Sequence, residues 1–248
     1  RFQGDTKDVA IADLDNDGSK EVIFADYRSS NSPQWNGQVY VLNNRGSRRD
    51  TYWFGNGGAN GGVSIANVDD DARLEIIVPS TYGIYVLNYL PGGILTKKWS
   101  NTNGAILGSA AVYDFGDHDL KLIYTTTASS TVCDPTKSCT NTLYIVRAED
   151  GSLNKSIALG SLDSQVTPTI TDLDNDNVPE VVIVAKNTES TSLGSIRAYD
   201  AVSGSLEWSY TDSSNLLVSQ ISPDLVDING NGDLEVVYAE NDGSKVHI

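Results

Sequence analysis

The chain has 248 residues, 39% of them hydrophobic, and a formal net charge of −16. That length and apolar content allow a large core, and all-β folds of this size are commonly one domain, here 1–248. With 33 acidic residues against 17 basic, the surface suits no nucleic-acid backbone, and no apolar run reaches membrane-spanning length, so neither nucleic acid nor membrane insertion is expected.

In chain order, the sequence repeats itself. An alternating lead-in, "VAIAD", runs into the acidic turn "DLDNDGSKE" at Asp13–Glu21, then into "EVIFA", "GQVYVLN" and "TYWF". The pattern returns as "SIANVDDDARLEIIV" from Ser64, "TITDLDNDNVPEVVIV" from Thr169 and "DLVDINGNGDLEVVY" from Asp224, with a degraded copy, "AAVYDFGDHDLKLIY", from Ala110. Third stretches follow in each unit ("GIYVLN", "NTLYIVRA", "GSIRAYD", "GSKVHI"), and fourth stretches with an aromatic occur in "KKWS" and "LEWSY". Period-2 patterning between Gly, Asn, Asp and Ser predicts strands, and no stretch has a helical period. Four strands about every 50 residues predict an all-β propeller of four-stranded antiparallel blades with five sequence repeats. Either the N-terminal residues complete the last blade and close the ring, or the five blades belong to a larger ring. Beginning at Arg1, without Met or a leader-like segment, the sequence reads as a processed chain or a piece of a longer one.

Close carboxylates repel unless a cation sits between them. The spacing matches a loop giving oxygens from positions one, three, five, seven and nine, as hard-oxygen calcium sites do. In unit one these are Asp13, Asp15, Asp17, the Ser19 carbonyl and Glu21. In unit two they are Asn67, Asp69, Asp71, the Arg73 carbonyl and Glu75. Unit four offers Asp172, Asp174, Asp176, the Val178 carbonyl and Glu180, and unit five Asp227, Asn229, Asn231, the Asp233 carbonyl and Glu235. About four structural Ca2+ ions are therefore expected. Gly18 stands where the turn is sharpest; unit two has Ala72 there. Unit three is expected to bind none, because Gly116 removes an oxygen and Lys121 replaces the terminal acid. An Asp-rich turn held by its own hydrogen bonds is the competing reading of any single copy.

These units resemble FG-GAP or VCBS-type repeats, the calcium-loop blades of integrin α-chain heads and many secreted microbial proteins. "FGNGG" at Phe54–Gly58 is similar to the Phe-Gly signature of that family, and "GSIRAYDAVSGSLEWSY" is similar to quinoprotein-like repeats. The resemblance implies a propeller with bound calcium and leaves the activity open.

Two histidines, His118 and His247, leave little acid–base machinery. Trp53, Trp99 and Trp208 recur in the fourth stretches and are expected in the core. Arg45, Arg48 and Arg49 read as a solvated loop, or as a sugar-acid contact in a lyase. Cys133 and Cys139 predict a local disulfide and an oxidising compartment, the alternative being two free thiols. The leading expectation is an extracellular, non-catalytic module for adhesion, carbohydrate binding or surface assembly. It would take a protein or glycan ligand on one face, with Tyr27, Trp35, Tyr52 and Tyr82 as candidate contacts, self-assemble, or dock to other domains of a longer chain. The alternative is a secreted polysaccharide lyase or hydrolase.

Overall fold

The computed structural model describes residues 5–27, 37–54, 58–69, 71–116, 120–128, 139–189, 194–212, 222–239 and 246–247. Among them there is no helix, and the strands form five antiparallel sheets in chain order. The first contains β1 (Asp5–Ala12), β2 (Glu21–Tyr27), β3 (Gln38–Leu42) and β4 (Arg48–Trp53). The second contains β5 (Ser64–Ala66), β6 (Glu75–Ser80), β7 (Gly83–Leu90) and β8 (Ile94–Asn101), and the third β9 (Ala111–Asp114), β10 (Leu120–Thr126), β11 (Thr142–Arg147) and β12 (Leu153–Ala158). In the fourth, β13 (Leu162–Asp163) and β14 (Thr169–Thr171) both pair with β15 (Glu180–Asn187), followed by β16 (Gly194–Asp200) and β17 (Leu206–Asp212). Described residues of the fifth give β18 (Asp224–Val226), β19 (Glu235–Ala239) and β20 (Val246–His247).

The second strands are the apolar runs of the sequence because neighbouring sheets cover both their faces. All of β6 is buried, as are all but the first residue of β10 and the first six residues of β15. Alternate side chains go to opposite cores. Ile76 and Val78 pack with Ile23, Val39 and Val41 of the first sheet, while Ile77 packs with Leu122, Tyr124 and Val146 of the third. Ile123 and Ile145 continue the stack to Val181 and Ile183, and Val182 and Val184 carry it to Tyr238 of the fifth. The fourth strands are the least covered, a mixture of exposed and half-buried residues in β4 and β12, with Leu95 and Trp99 buried in β8.

The lead-in strands lie side by side, β1 against β5, β5 against β9 and β9 against β14. A cavity of about 440 Å³ is lined by Asp8, Gly62, Ser109, Thr167 and Ser222, the same position in all five units. Ser64 Oγ donates to the Ala110 carbonyl (2.8 Å), and Thr169 Oγ1 donates to the Pro223 carbonyl (2.6 Å), the same step from one unit to the next. Backbones approach closely here: a Cβ on Gly108 would stand 2.4 Å from the Val166 carbonyl oxygen, so only glycine fits.

The tryptophans differ from expectation. Trp99 is 9% exposed and donates Nε1–H to the Ala148 carbonyl (2.9 Å) of the third unit. Trp208 holds the equivalent register position but is 37% exposed, and Trp53 lies further along its strand and is 54% exposed. Of the three, Trp99 packs in a core cluster. Arg48 and Arg49 are not in a loop: they open β4, exposed. Trp35, the Tyr27 side chain, His118, the His247 side chain and Cys133 lie outside the described residues, and with Cys133 the expected disulfide to Cys139.

Ile77→Ala, at the second core, should cost about 2–5 kcal/mol in urea unfolding, whereas exposed Ile94→Ala should change stability by about 0.5 kcal/mol or less.

Candidate metal centre

Each acidic turn joins the first and second main strands of its sheet, and its terminal glutamate begins the second strand. Register places these glutamates identically: Glu21 opposite Ala12, Glu75 opposite Ala66, Glu180 opposite Thr171 and Glu235 opposite Val226. Each Oε2 accepts from the N–H at the second loop position, Leu14 (3.1 Å), Val68 (2.9 Å), Leu173 (2.6 Å) and Ile228 (2.9 Å). One carboxylate oxygen thus fastens the turn and the other is left for the loop.

The first, fourth and fifth loops share a backbone. Two residues in each are left-handed: Asn16 and Gly18, Asn175 and Asn177, Gly230 and Gly232. This coil aims successive N–H groups at the first carboxylate. Asp17 and Gly18 donate to Asp13 Oδ1 (3.0 Å) and Oδ2 (2.8 Å), Asp176 and Asn177 to Asp172 (3.1 and 2.9 Å), and Asn231 and Gly232 to Asp227 (3.1 and 2.8 Å). In all four loops the N–H of position seven donates to the side chain of position five. The bonds are Ser19 to Asp17 (2.7 Å), Arg73 to Asp71 (2.6 Å), Val178 to Asp176 (2.7 Å) and Asp233 to Asn231 (2.8 Å).

Three groups bring carboxylate oxygens within 4.8 Å of one another and could hold a metal ion: Asp13, Asp15 and Asp17; Asp69, Asp71 and Glu75; and Asp172, Asp174 and Glu180. In the first and fourth loops the donor set fits a hard cation. Asp15 Oδ1 and Glu180 Oε1 are buried with no hydrogen-bond partner, which is costly for a carboxylate oxygen unless a cation meets it. The fifth loop has acids at only two of its side-chain ligand positions, Asp227 and Glu235, and its Asn229 amide donates to Glu235 Oε1 (2.6 Å), a bond an ion would displace.

The second loop fits less well. Ala72 is not left-handed, Asn67 donates its amide to the Asp71 carbonyl, and Asn67 Oδ1 accepts only a longer bond from Asp69 (3.3 Å). Lys98 Nζ pairs with Asp69 Oδ2, and Arg73 Nη2 with Asp71 Oδ2 (3.2 Å). In the third unit the turn is one residue shorter, and Lys121, buried, stands opposite Tyr113 where the other units have glutamate.

Burial raises Glu75 and Glu180 to about 7, and adjacent carboxylates (Asp69 and Asp71; Glu207, Asp174 and Asp176) push the same way. Glu21 is raised too, by burial and by Asp15, Asp17 and Asp13. Asp69 moves down: burial opposes it, and the Lys98 hydrogen bond and charge outweigh burial.

Lys98 carries no motif in the sequence; its cue is position, because it immediately precedes Trp99 as Glu207 precedes Trp208. Of the candidate contact aromatics, Tyr52 is half-buried against Phe54, which in turn meets Tyr85 edge-on, and Tyr82 is half-buried.

Fold and site together define an all-β repeat protein with acidic turns able to hold metal. No family model and no curated protein matches the chain. Among solved structures it is similar to the V. cholerae biofilm matrix protein Bap1 (TM-score 0.52, 20% identity, 82% of this chain and 28% of that one). It is also similar to the quinohemoprotein alcohol dehydrogenase of Comamonas testosteroni (TM-score 0.56, 16% identity, 95% of this chain and 40% of that one). At these identities the likeness is one of fold, and the chain spans well under half the length of either protein.

In chelator, the raised glutamates set the sign of the pH dependence. Their folded pKa of about 7 lies above the ordinary 4.5, so the stability they contribute is full below 4.5 and is lost as pH rises through 7. The urea midpoint of metal-free protein should be higher at pH 5 than at pH 8; a midpoint that rises with pH would contradict these shifts.

Proposed function

We propose that the chain is a five-bladed β-propeller of the FG-GAP/VCBS type, calcium-bound at its acidic turns, acting outside the cell as a non-catalytic module for binding or surface assembly. The ring reading rests on the cavity that the same position of all five units lines. The calcium reading rests on the partnerless buried oxygens Asp15 Oδ1 and Glu180 Oε1 in loops that coil alike. Hard oxygen donors, irregular geometry and a backbone wound around one point suit calcium better than a softer metal. Asp13, Asp15, Asp17 and Glu21 would hold one ion, and Asp172, Asp174, Asp176 and Glu180 a second, with the carbonyls of Ser19 and Val178. The fifth loop would hold a weaker one through Asp227, Asn229, Asn231, Asp233 and Glu235. Bound there, the ion supplies the positive charge the turn lacks.

The assembly reading draws on the likeness in fold to a biofilm matrix protein. An expected Cys133–Cys139 disulfide agrees with an oxidising, extracellular setting. A rigid ring presenting turns from every blade suits a glycan or protein ligand on one face. A glycan array read alongside a polysaccharide-cleavage assay separates this module from a lyase or hydrolase: binding without chain cleavage is the expected result.

Calcium that binds only the folded state stabilises it by about 2.7 kcal/mol per site at 100 times the dissociation constant. Chelation should therefore lower the melting temperature, and Asp15→Ala should lower it more than Asn229→Ala. Calorimetry without any calcium dependence would refute the metal reading.

A further inference from the structure

The fourth strand of each of the first four sheets carries a bulge at the same register step, one extra residue between two ladder pairs. That residue is Arg49 in the first sheet, between the pairs Val41–Asp50 and Leu42–Arg48. It is Lys98 in the second, Asn154 in the third and Glu207 in the fourth. A bulge re-aims one side chain without moving the strands around it. Lys98 meets Asp69 in its own acidic turn, and the pair is largely enclosed, the side chains 16% and 17% exposed. Arg73 adds a second cation, so two cations face the three carboxylates Asp69, Asp71 and Glu75.

Among the described residues, the first and fourth turns have no such partner. No ion pair joins Arg49, which is exposed, to Asp13, Asp15 or Asp17, and Asp15 Oδ1 keeps its buried, partnerless state. In the fourth unit the bulge carries an acid. That residue, Glu207, offers no positive charge to Asp172, Asp174 or Asp176. The loop backbones divide the same way: the first, fourth and fifth coil left-handed at both positions, while Ala72 of the second does not.

We propose that Lys98, aimed by the bulge in β8, is the resident counter-ion of the second acidic turn, so that this turn takes an internal ammonium and no calcium. With Lys121 in place of the glutamate in the third unit, the second and third units are then independent of calcium. The dependent units, fourth, fifth and first, would be neighbours across the seam where a ring joins its ends. Calcium would govern the seam, and a lysine-neutralised half would hold its shape without it. This inference rests on the proposed calcium reading of the other turns.

Native mass spectrometry and peptide-resolved hydrogen exchange on the full chain, in calcium and in chelator, test it. Three bound ions are expected, with faster exchange in chelator over β1–β2, β14–β15 and β18–β19 and unchanged exchange over β5–β6 and β9–β10. Four ions, with β5–β6 loosening on chelation, would overturn the inference and leave the calcium reading intact. No calcium effect on any segment would overturn both. In chelator, Lys98→Met should lower the melting temperature by roughly 10 °C, because it leaves a buried charge unpaired, and Lys98→Arg should recover most of the loss. An unchanged melting temperature for Lys98→Met would overturn the assignment of Lys98.

Discussion

A carboxylate stands at the head of a strand that water cannot reach, and much else follows from it. The second strands of the first, second and fourth sheets are almost wholly buried, so the first residue of each, Glu21, Glu75 or Glu180, is nearly sealed from solvent. Burying a charge is expensive unless it is hydrogen-bonded and paired. One oxygen is satisfied by the backbone N–H of the turn, which fixes the turn against the strand. The other oxygen turns toward two or three further acids. The sheet stack thus makes a site that needs positive charge, and does so wherever the unit is repeated.

The units meet that need differently because the two parts of the problem are separable. The apolar positions that stack one sheet on the next alternate along β6, β10 and β15 and leave no freedom: each faces a core. The acidic positions of the turn and the bulge on the outer strand contribute nothing to those apolar clusters, so a substitution there leaves the clusters untouched. Lysine or arginine can enter the bulge, glutamate can be exchanged for Lys121, and the turn can lose a residue, while the ladder around it keeps its register. Core and counter-ion are under different constraints, and only the first is uniform.

That division explains what the sequence could tell. The strands were legible because period-2 patterning and doubly buried runs such as "EIIVPS" are local, and the turns because four of the five copies carry one spacing. The glutamate's place was legible for the same reason, down to Lys121 in the third unit. Lys98 was not, since a β-bulge is a property of pairing between strands and leaves no composition of its own. The burial of Trp99 was not legible either, since the turn around Ala148 that covers it belongs to the next unit and no local pattern encodes that contact. Arg48 and Arg49 read as loop because charged residues are poor strand signals, yet an outermost strand has a solvated face on which they cost nothing.

An ammonium and a calcium ion are not equivalent solutions. Lys98 is covalently present, so its pair forms whenever the strand folds, at the cost of ordering one long side chain. Its single charge leaves three carboxylates only partly compensated even with Arg73 beside it, and Glu75, raised chiefly by burial and then by Asp69 and Asp71, stays at about 7. A divalent ion compensates four carboxylates more fully and gathers side chains from an entire turn, but its contribution scales with the free concentration around the molecule. Under the calcium reading, units neutralised from within set a floor to stability that no change of medium removes. Units neutralised from without make the rest of the fold answer to its surroundings. A repeat protein that mixes the two can be assembled in one setting and made rigid in another, and the cation that decides it must both occupy the outer-strand bulge and reach the turn, as Lys98 does and Arg49 does not.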